Sequence, residues 1–419
     1  MKKANLILMA AMAAAGVMSV TGALLAPSAA VAAEGQKLGA KVAKPLRAAQ
    51  EAMTEQKWAE AIAHIDEAAA VQPQTPYESF MVDELGWFAR IQTKDYAGAE
   101  PALERAITSG FVPEADLPQR YKAMTQLNYQ LKNYPKTVEY GKKYVAAVPG
   151  SADVGAMVAH AQYLQNDFAG AQATVQQLTA GSSKPDEQLL MIGLRSSYEL
   201  QDRAATMRSL ESLVRYYPQQ KYWEDLLTNQ LYETKTERDL RVLYRLMADT
   251  NTLDKPEEYS EMAVTLMAGG FPSEAAGVLE RGLSAGVFQA ETKTRAESEL
   301  KRVRSAADAD RKELATADKA LAAANTGNEM VAMGKLFFSV GEYAKAADAI
   351  QKGLAKGGVT DTDDANALLG IAHARSSRYP EALAAFGAIR DAKLNEVARL
   401  WKLYVETKQA PAAPVPAAG

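Results

Sequence analysis

The sequence predicts an all-α protein, an α-solenoid (superhelix) of stacked helix–turn–helix repeats. Three observations carry that expectation. Alanine is abundant and strand-favouring residues are sparse, a bias toward helix. Prolines fall at recurring joints where helices should stop: Pro73, Pro76, Pro113, Pro118, Pro149, Pro185, Pro218 and Pro256. Between the joints, Trp58, Tyr96, Tyr134 and Phe168 recur at intervals of 38, 38 and 34 residues, each placed to close the turn between two helices of a pair.

Residues 1–33 have the three parts of a secretory signal peptide. Lys2-Lys3 opens it, Leu6 to Ala26 carries no charge, and Val31-Ala32-Ala33 offers small residues before Glu34. The chain lacks cysteine, which excludes disulfides, thiol catalysis and attachment of lipid at an N-terminal cysteine. No later stretch is long and apolar enough to span a membrane, so none is expected after signal cleavage. The expected location is the periplasm. The uncharged stretch exceeds the usual signal core of ~7–15 residues, which leaves an uncleaved membrane anchor as an alternative.

Residues 36–288 read as about seven helical hairpins. Ala61-x-x-x-Ile65, Ala99-x-x-x-Leu103, Ala171-x-x-x-Val175 and Ala275-x-x-x-Leu279 set a small residue one turn before a large one. The pattern is loose from Glu187 to Thr252 and almost absent from Lys221 to Thr252. Residues 289–326 break it. They are rich in Lys, Arg, Asp and Glu, and Ala290 to Ala324 contains neither Gly nor Pro. Leu300, Val303, Ala307, Leu314, Ala317 and Leu321 form one mildly apolar stripe, so a charged connector helix is expected.

Residues 327–391 hold the clearest pair. The first copy gives Met333-Gly334-x-x-Phe337, Gly341-Glu342-Tyr343 and Ala346-x-x-x-Ile350. The second gives Leu369-Gly370-x-x-His373, Tyr379 and Ala382-x-x-x-Phe386, 36 residues later. Close packing of two helices needs small residues in contact, which Gly334 with Ala346 and Gly370 with Ala382 would supply. This resembles the tetratricopeptide repeat, whose signature is Leu-Gly-x-x-Tyr, then Ala-x-x-x-Phe, at a period of ~34. The chain as a whole is also similar to exported tetratricopeptide-repeat proteins associated with outer-membrane transport and energy transduction. Residues 392–408 look amphipathic and suit a terminal capping helix with a polar outer face. Residues 409–419 are rich in Pro and Ala and are expected to be disordered.

The resemblance implies that the first helix of each pair lines a concave groove. On that alignment Tyr129, Tyr163, Tyr198 and Tyr232 form one row, spaced 34, 35 and 34 residues apart. Gln126, His160, Arg195 and Asn229 form a polar row beside it. Tyrosine, with a rigid apolar body and polar tip, suits peptide recognition. Packing between neighbouring first helices would use the same residues.

Other functions find less support. The formal charge is −4, or −6 once Lys2 and Lys3 leave with the signal (45 basic, 51 acidic), which argues against a nucleic-acid partner. Three scattered histidines make a metal site unexpected. No catalytic residue, cofactor or metal ligand is assigned. The expected function is a non-enzymatic envelope scaffold or adaptor that binds peptide segments or helices of other proteins. The rivals are a membrane-anchored assembly factor and a peptidoglycan-acting enzyme with a helical superhelix.

Overall fold

A computed structural model describes residues 37–409; the segment expected to be a signal peptide, 1–33, and the tail at 410–419 lie outside the described residues. Twenty α-helices and one 3-10 turn make up the described residues, without a strand among them. They form two compact units that divide after Pro149.

The first unit holds three hairpins: α1 (Ala40–Thr54) with α2 (Trp58–Ala69), α3 (Pro76–Gln92) with α4 (Tyr96–Thr108), and α5 (Leu117–Gln130) with α6 (Tyr134–Ala147). Thr75 and Glu78 start α3 with a reciprocal capping box. Glu78 also accepts a hydrogen bond from the Gly39 amide at 2.8 Å, fixing the entry to α1. The small-then-large spacing shows its purpose here: Ala61 and Ile65, like Ala99 and Leu103, are fully buried between helices.

The second unit begins with four hairpins. They are α7 (Ala152–Leu164) with α8 (Phe168–Thr179), α9 (Glu187–Glu199) with α10 (Arg203–Tyr216), α11 (Gln220–Leu231) with α12 (Glu237–Asp249), and α13 (Pro256–Ala268) with α14 (Pro272–Ser284). The charged segment is a single helix, α15 (Ala290–Ala323), which lies against α14 through Ala296, Leu300, Val303 and Ala307. Next come α16 (Gly327–Ser339) with α17 (Tyr343–Lys356), α18 (Thr362–Arg375) with α19 (Tyr379–Gly387), and α20 (Ala392–Gln409).

Most turns inside the hairpins share one backbone solution. The second residue after the first helix adopts the left-handed conformation at Gln56, Lys94, Lys132, Asn166, Gln201, Gly270, Gly341 and Ser377. The next amide then reaches back to the helix end, as Asp95 N does to Arg90 O at 2.9 Å. Asp95, Asp167 and Asp202 cap the following helix through Gly98, Gly170 and Ala205 amides at 2.9–3.0 Å. The α11–α12 connection lacks this turn and is longer, with Thr236 as the cap.

Helices α16–α20 do not simply extend the row of hairpins. They return to dock on the second helices of earlier pairs: α18 and α20 on α12, α20 on α10, and α16 on α14. Helix α12 is therefore enclosed on opposite sides, and Arg241 through Met247 is an unbroken buried run. Trp401 of α20 is fully buried and donates to the Val242 carbonyl at 3.0 Å. Arg399 pairs with Glu211 of α10 at 2.8 Å. Helix α20 thus differs from a cap with one polar face: Leu394, Val397, Leu400, Trp401, Leu403 and Val405 are all buried.

Charge is buried where the two halves of this unit meet. Arg245 grips Glu274 with two nitrogens, the shorter contact being 2.7 Å. Arg375 of α18 holds Asp249 at 3.0 Å and Glu274 at 3.2 Å. The Arg245 guanidinium lies 4.2 Å and 4.6 Å from the ring centres of Phe271 and Phe338. Nearby, Arg241 and Lys335 both hold Asp364, at 2.9 and 3.0 Å.

Candidate functional site

Gln126 and Tyr129 lie on α5 in the first unit; of the other six candidates, five lie on α7, α9 and α11 in the second, and Tyr232 is the residue that ends α11.

In the first unit Tyr129 is half-buried, and its ring meets that of Tyr134, the first residue of α6, with centres 6.3 Å apart. Burial, with the neighbouring Tyr134 second, raises the pKa of its hydroxyl. Gln126 is half-buried one turn earlier. In the second unit Tyr163 repeats this arrangement, its ring centre 5.4 Å from that of Phe168, which opens α8.

Tyr198 and Tyr232 behave differently. They are 46% and 71% exposed, against an otherwise filled core. The cause is visible five residues downstream. Tyr129 and Tyr163 are followed at that distance by Tyr134 and Phe168, whereas Tyr198 and Tyr232 are followed by Arg203 and Glu237. Those charged residues open α10 and α12 and offer no ring to pack on. Arg203 instead turns to α11, pairing with Glu233 and donating to the Asn229 carbonyl at 3.1 Å.

The polar row partly converges. His160 and Arg195 are near enough for the guanidinium to reinforce the effect of burial, and together they depress the His160 pKa. Asn229 hydrogen-bonds the Tyr198 hydroxyl, whose pKa burial and then Asp225 raise. Arg195, Tyr198, Asp225 and Asn229 thus form one neighbourhood across α9 and α11. Leu164 and Leu200 are also exposed, 39% and 40%, at the ends of α7 and α9. Sequence reading missed Asp225, Leu164 and Leu200. The signal for the leucines was available: an apolar residue within two positions of a row tyrosine, at the end of a first helix.

The docking of α16–α20 falls mainly on the second helices α10, α12 and α14, with one ring contact to a first helix, Tyr404 of α20 against Trp223 of α11 at 6.1 Å between centres, while the tyrosine row belongs to the first helices α7, α9 and α11. This differs from an array in which first helices alone supply the inner wall.

The described residues contain no group of three or more His, Asp or Glu side chains that could hold a metal ion, and no helix long and apolar enough to cross a membrane. The arrangement offers tyrosine faces, one guanidinium and amide groups. It can stack, hydrogen-bond and bury apolar surface.

Residues 331–393 match the family model described as tetratricopeptide repeat. Among solved structures, a tetratricopeptide repeat protein from Parabacteroides merdae aligns over 80% of this chain and 99% of its own, with 10% identity and a TM-score of 0.32. The Naa15/Naa10 complex bound to HypK aligns over 87% of this chain and 60% of its own, with 13% identity and a TM-score of 0.39. YrrB, a tetratricopeptide protein with an unusual peptide-binding site, aligns over 42% of this chain and 87% of its own, with 10% identity and a TM-score of 0.33. No curated protein matches the sequence.

Proposed function

We propose that this chain, a tetratricopeptide-repeat protein by its segment 331–393, is a non-enzymatic scaffold that binds an extended segment of another protein. The bound segment lies across the ends of α7, α9 and α11. The observation that carries this reading is the exposure of Tyr198 and Tyr232 on successive first helices, beside Leu164 and Leu200. Burying exposed tyrosine and leucine surface contributes most of the affinity, and Arg195 and Asn229 fix the register by hydrogen bonds.

Replacing both Tyr198 and Tyr232 with Ala should abolish capture of the partner while moving the melting temperature little, because neither ring supports the core. Photo-crosslinking from position 198 or 232 in intact cells, followed by mass spectrometry, identifies the partner. Unchanged capture by the double variant refutes the reading.

The scaffold acts in the periplasm, after removal of residues 1–33. The charged start, uncharged stretch and small residues before Glu34 support this. Intact mass of the protein isolated from cells should correspond to a chain starting at Glu34. A start at Met1 would favour the membrane-anchored alternative.

A further inference from the structure

The second unit contains a cleft of about 1160 Å³, and none of its lining residues belongs to the tyrosine row. That volume exceeds the ~300–1,000 Å³ typical of small-molecule pockets and suits a length of chain. Helix α14 contributes Glu274, Gly277, Glu280, Arg281, Ser284 and Ala285 to the lining. Tyr259 of α13, Tyr343 of α17 and Tyr404 of α20 line it too, each half-buried, so part of each side chain is open to an incoming group. Gly277 lies inside α14, where glycine is unfavourable relative to alanine. No neighbour demands it, since a Cβ built there would meet nothing within 4 Å. Its effect is to let another backbone approach the helix closely.

The charges in the lining decide what kind of chain fits. Every acid there already holds a cation. Asp249 and Glu274 share Arg375, at 3.0 and 3.2 Å. Glu280 accepts from Arg304 of α15 at 2.8 Å. Arg281 differs: it is exposed and pairs with no acid among the described residues. Its own helix supplies none, because the positions three and four residues away are Gly277, Val278, Ser284 and Ala285. With the acids satisfied, the cleft presents one surplus positive charge among three tyrosines. A segment that brings a carboxylate to Arg281 completes the pairing, and one that brings a cation meets no free acid.

We propose that this cleft is a second docking site, for an extended acidic segment of another protein. The segment's backbone passes over Gly277, one of its carboxylates pairs with Arg281, and its apolar side chains lie on Tyr259, Tyr343 and Tyr404. The proposal does not depend on the tyrosine row of α7, α9 and α11.

The test uses random decapeptides displayed on phage and selected on the full-length protein. Selected peptides are then measured by fluorescence anisotropy against three variants: Gly277→Leu, Arg281→Gln, and Tyr198→Ala with Tyr232→Ala. Gly277→Leu places a side chain in the cleft and favours the helix, so its melting temperature should hold or rise. Peptides that lose at least tenfold in affinity on Gly277→Leu should carry Asp or Glu. They should lose at least tenfold on Arg281→Gln and bind the double tyrosine variant unchanged. Replacing their acids with the corresponding amides should weaken binding to the native protein tenfold and leave binding to Arg281→Gln unchanged. The proposal is overturned if no selected peptide is sensitive to Gly277→Leu, if the sensitive peptides lack acids, or if they bind Arg281→Gln as tightly as the native protein.

Discussion

Tyr163 and Tyr198 occupy the same repeat position and have opposite roles. The ring of Tyr163 lies against Phe168, while that of Tyr198 faces solvent beside Arg203's helix. Replacing Tyr163 with Ala should therefore cost about 1–2 kcal/mol, the sum of a lost aromatic pair and partial burial. Urea denaturation of the purified protein reads that loss, and Tyr198→Ala serves as the near-neutral comparison. The row itself was legible in the sequence because spacing alone aligns it. Its division into packed and open members was legible too, but only by reading five residues beyond each tyrosine to what opens the next helix. The three aspartates at the start of α18, Asp361, Asp363 and Asp364, have separate duties that residue type does not tell apart. Asp361 caps the Asp364 amide at 2.9 Å, Asp363 accepts from the Arg390 and Asp391 amides, and Asp364 binds Arg241 and Lys335.

Among the elements, the α18–α19 pair was the easiest to recognise and α12 the hardest, and packing explains both. A hairpin that uses one face keeps small residues where its two helices touch. A Cβ placed at Gly370 would lie 2.5 Å from the ring of Phe386, which is fully buried and has nowhere to move. Gly370→Ala should thus destabilise the second unit by about 1–3 kcal/mol through overpacking, read as a lower melting temperature. Helix α12 instead packs on opposite sides, against its own partners and against α18 and α20. Its sequence serves two interfaces, so the periodic signature is diluted. Arg241 and Arg245, which read as surface charges in a one-sided helix, are buried at 6% and 1% exposure. Residues 290–323 were correctly legible as one helix, but charge density gave no sign that its apolar stripe would seat on α14.

At the scale of the whole molecule, the two units are stacks of hairpins, and the second is fastened by a buried charge cluster. Burial alone would raise the pKa of Glu274, but Arg245 and Arg375 outweigh it and hold the carboxyl below its ordinary value of 4.5. Asp364 is held low in the same way by Lys335 and Arg241 against the effect of burial. A carboxyl whose folded pKa lies below its unfolded value contributes stability above the unfolded pKa and loses it as pH falls through the folded one. Urea midpoints should therefore show a first decline below about pH 6.5, where His160, whose pKa burial and Arg195 depress, resists protonation in the fold, and a further decline below about pH 4.5 as the buried carboxyls take up protons. Arg375→Met leaves Asp249 and Glu274 without their shared cation. It should cost about 3–5 kcal/mol at neutral pH, with part of that cost recovered in acid as the stranded carboxyls take up protons. None of these partnerships was visible in sequence, because Arg375 lies 126 residues from Asp249 and 101 from Glu274.

The indole of Trp401 reaches back 159 residues to the backbone of α12. In an open array each module leans only on its neighbours, so terminal modules can be peeled away one at a time with graded loss. Here position 401 must be in place before residues 237–249 acquire their full covering. Until then the unfolded chain leaves α12 incompletely shielded, a window in which a holding chaperone has something to grasp.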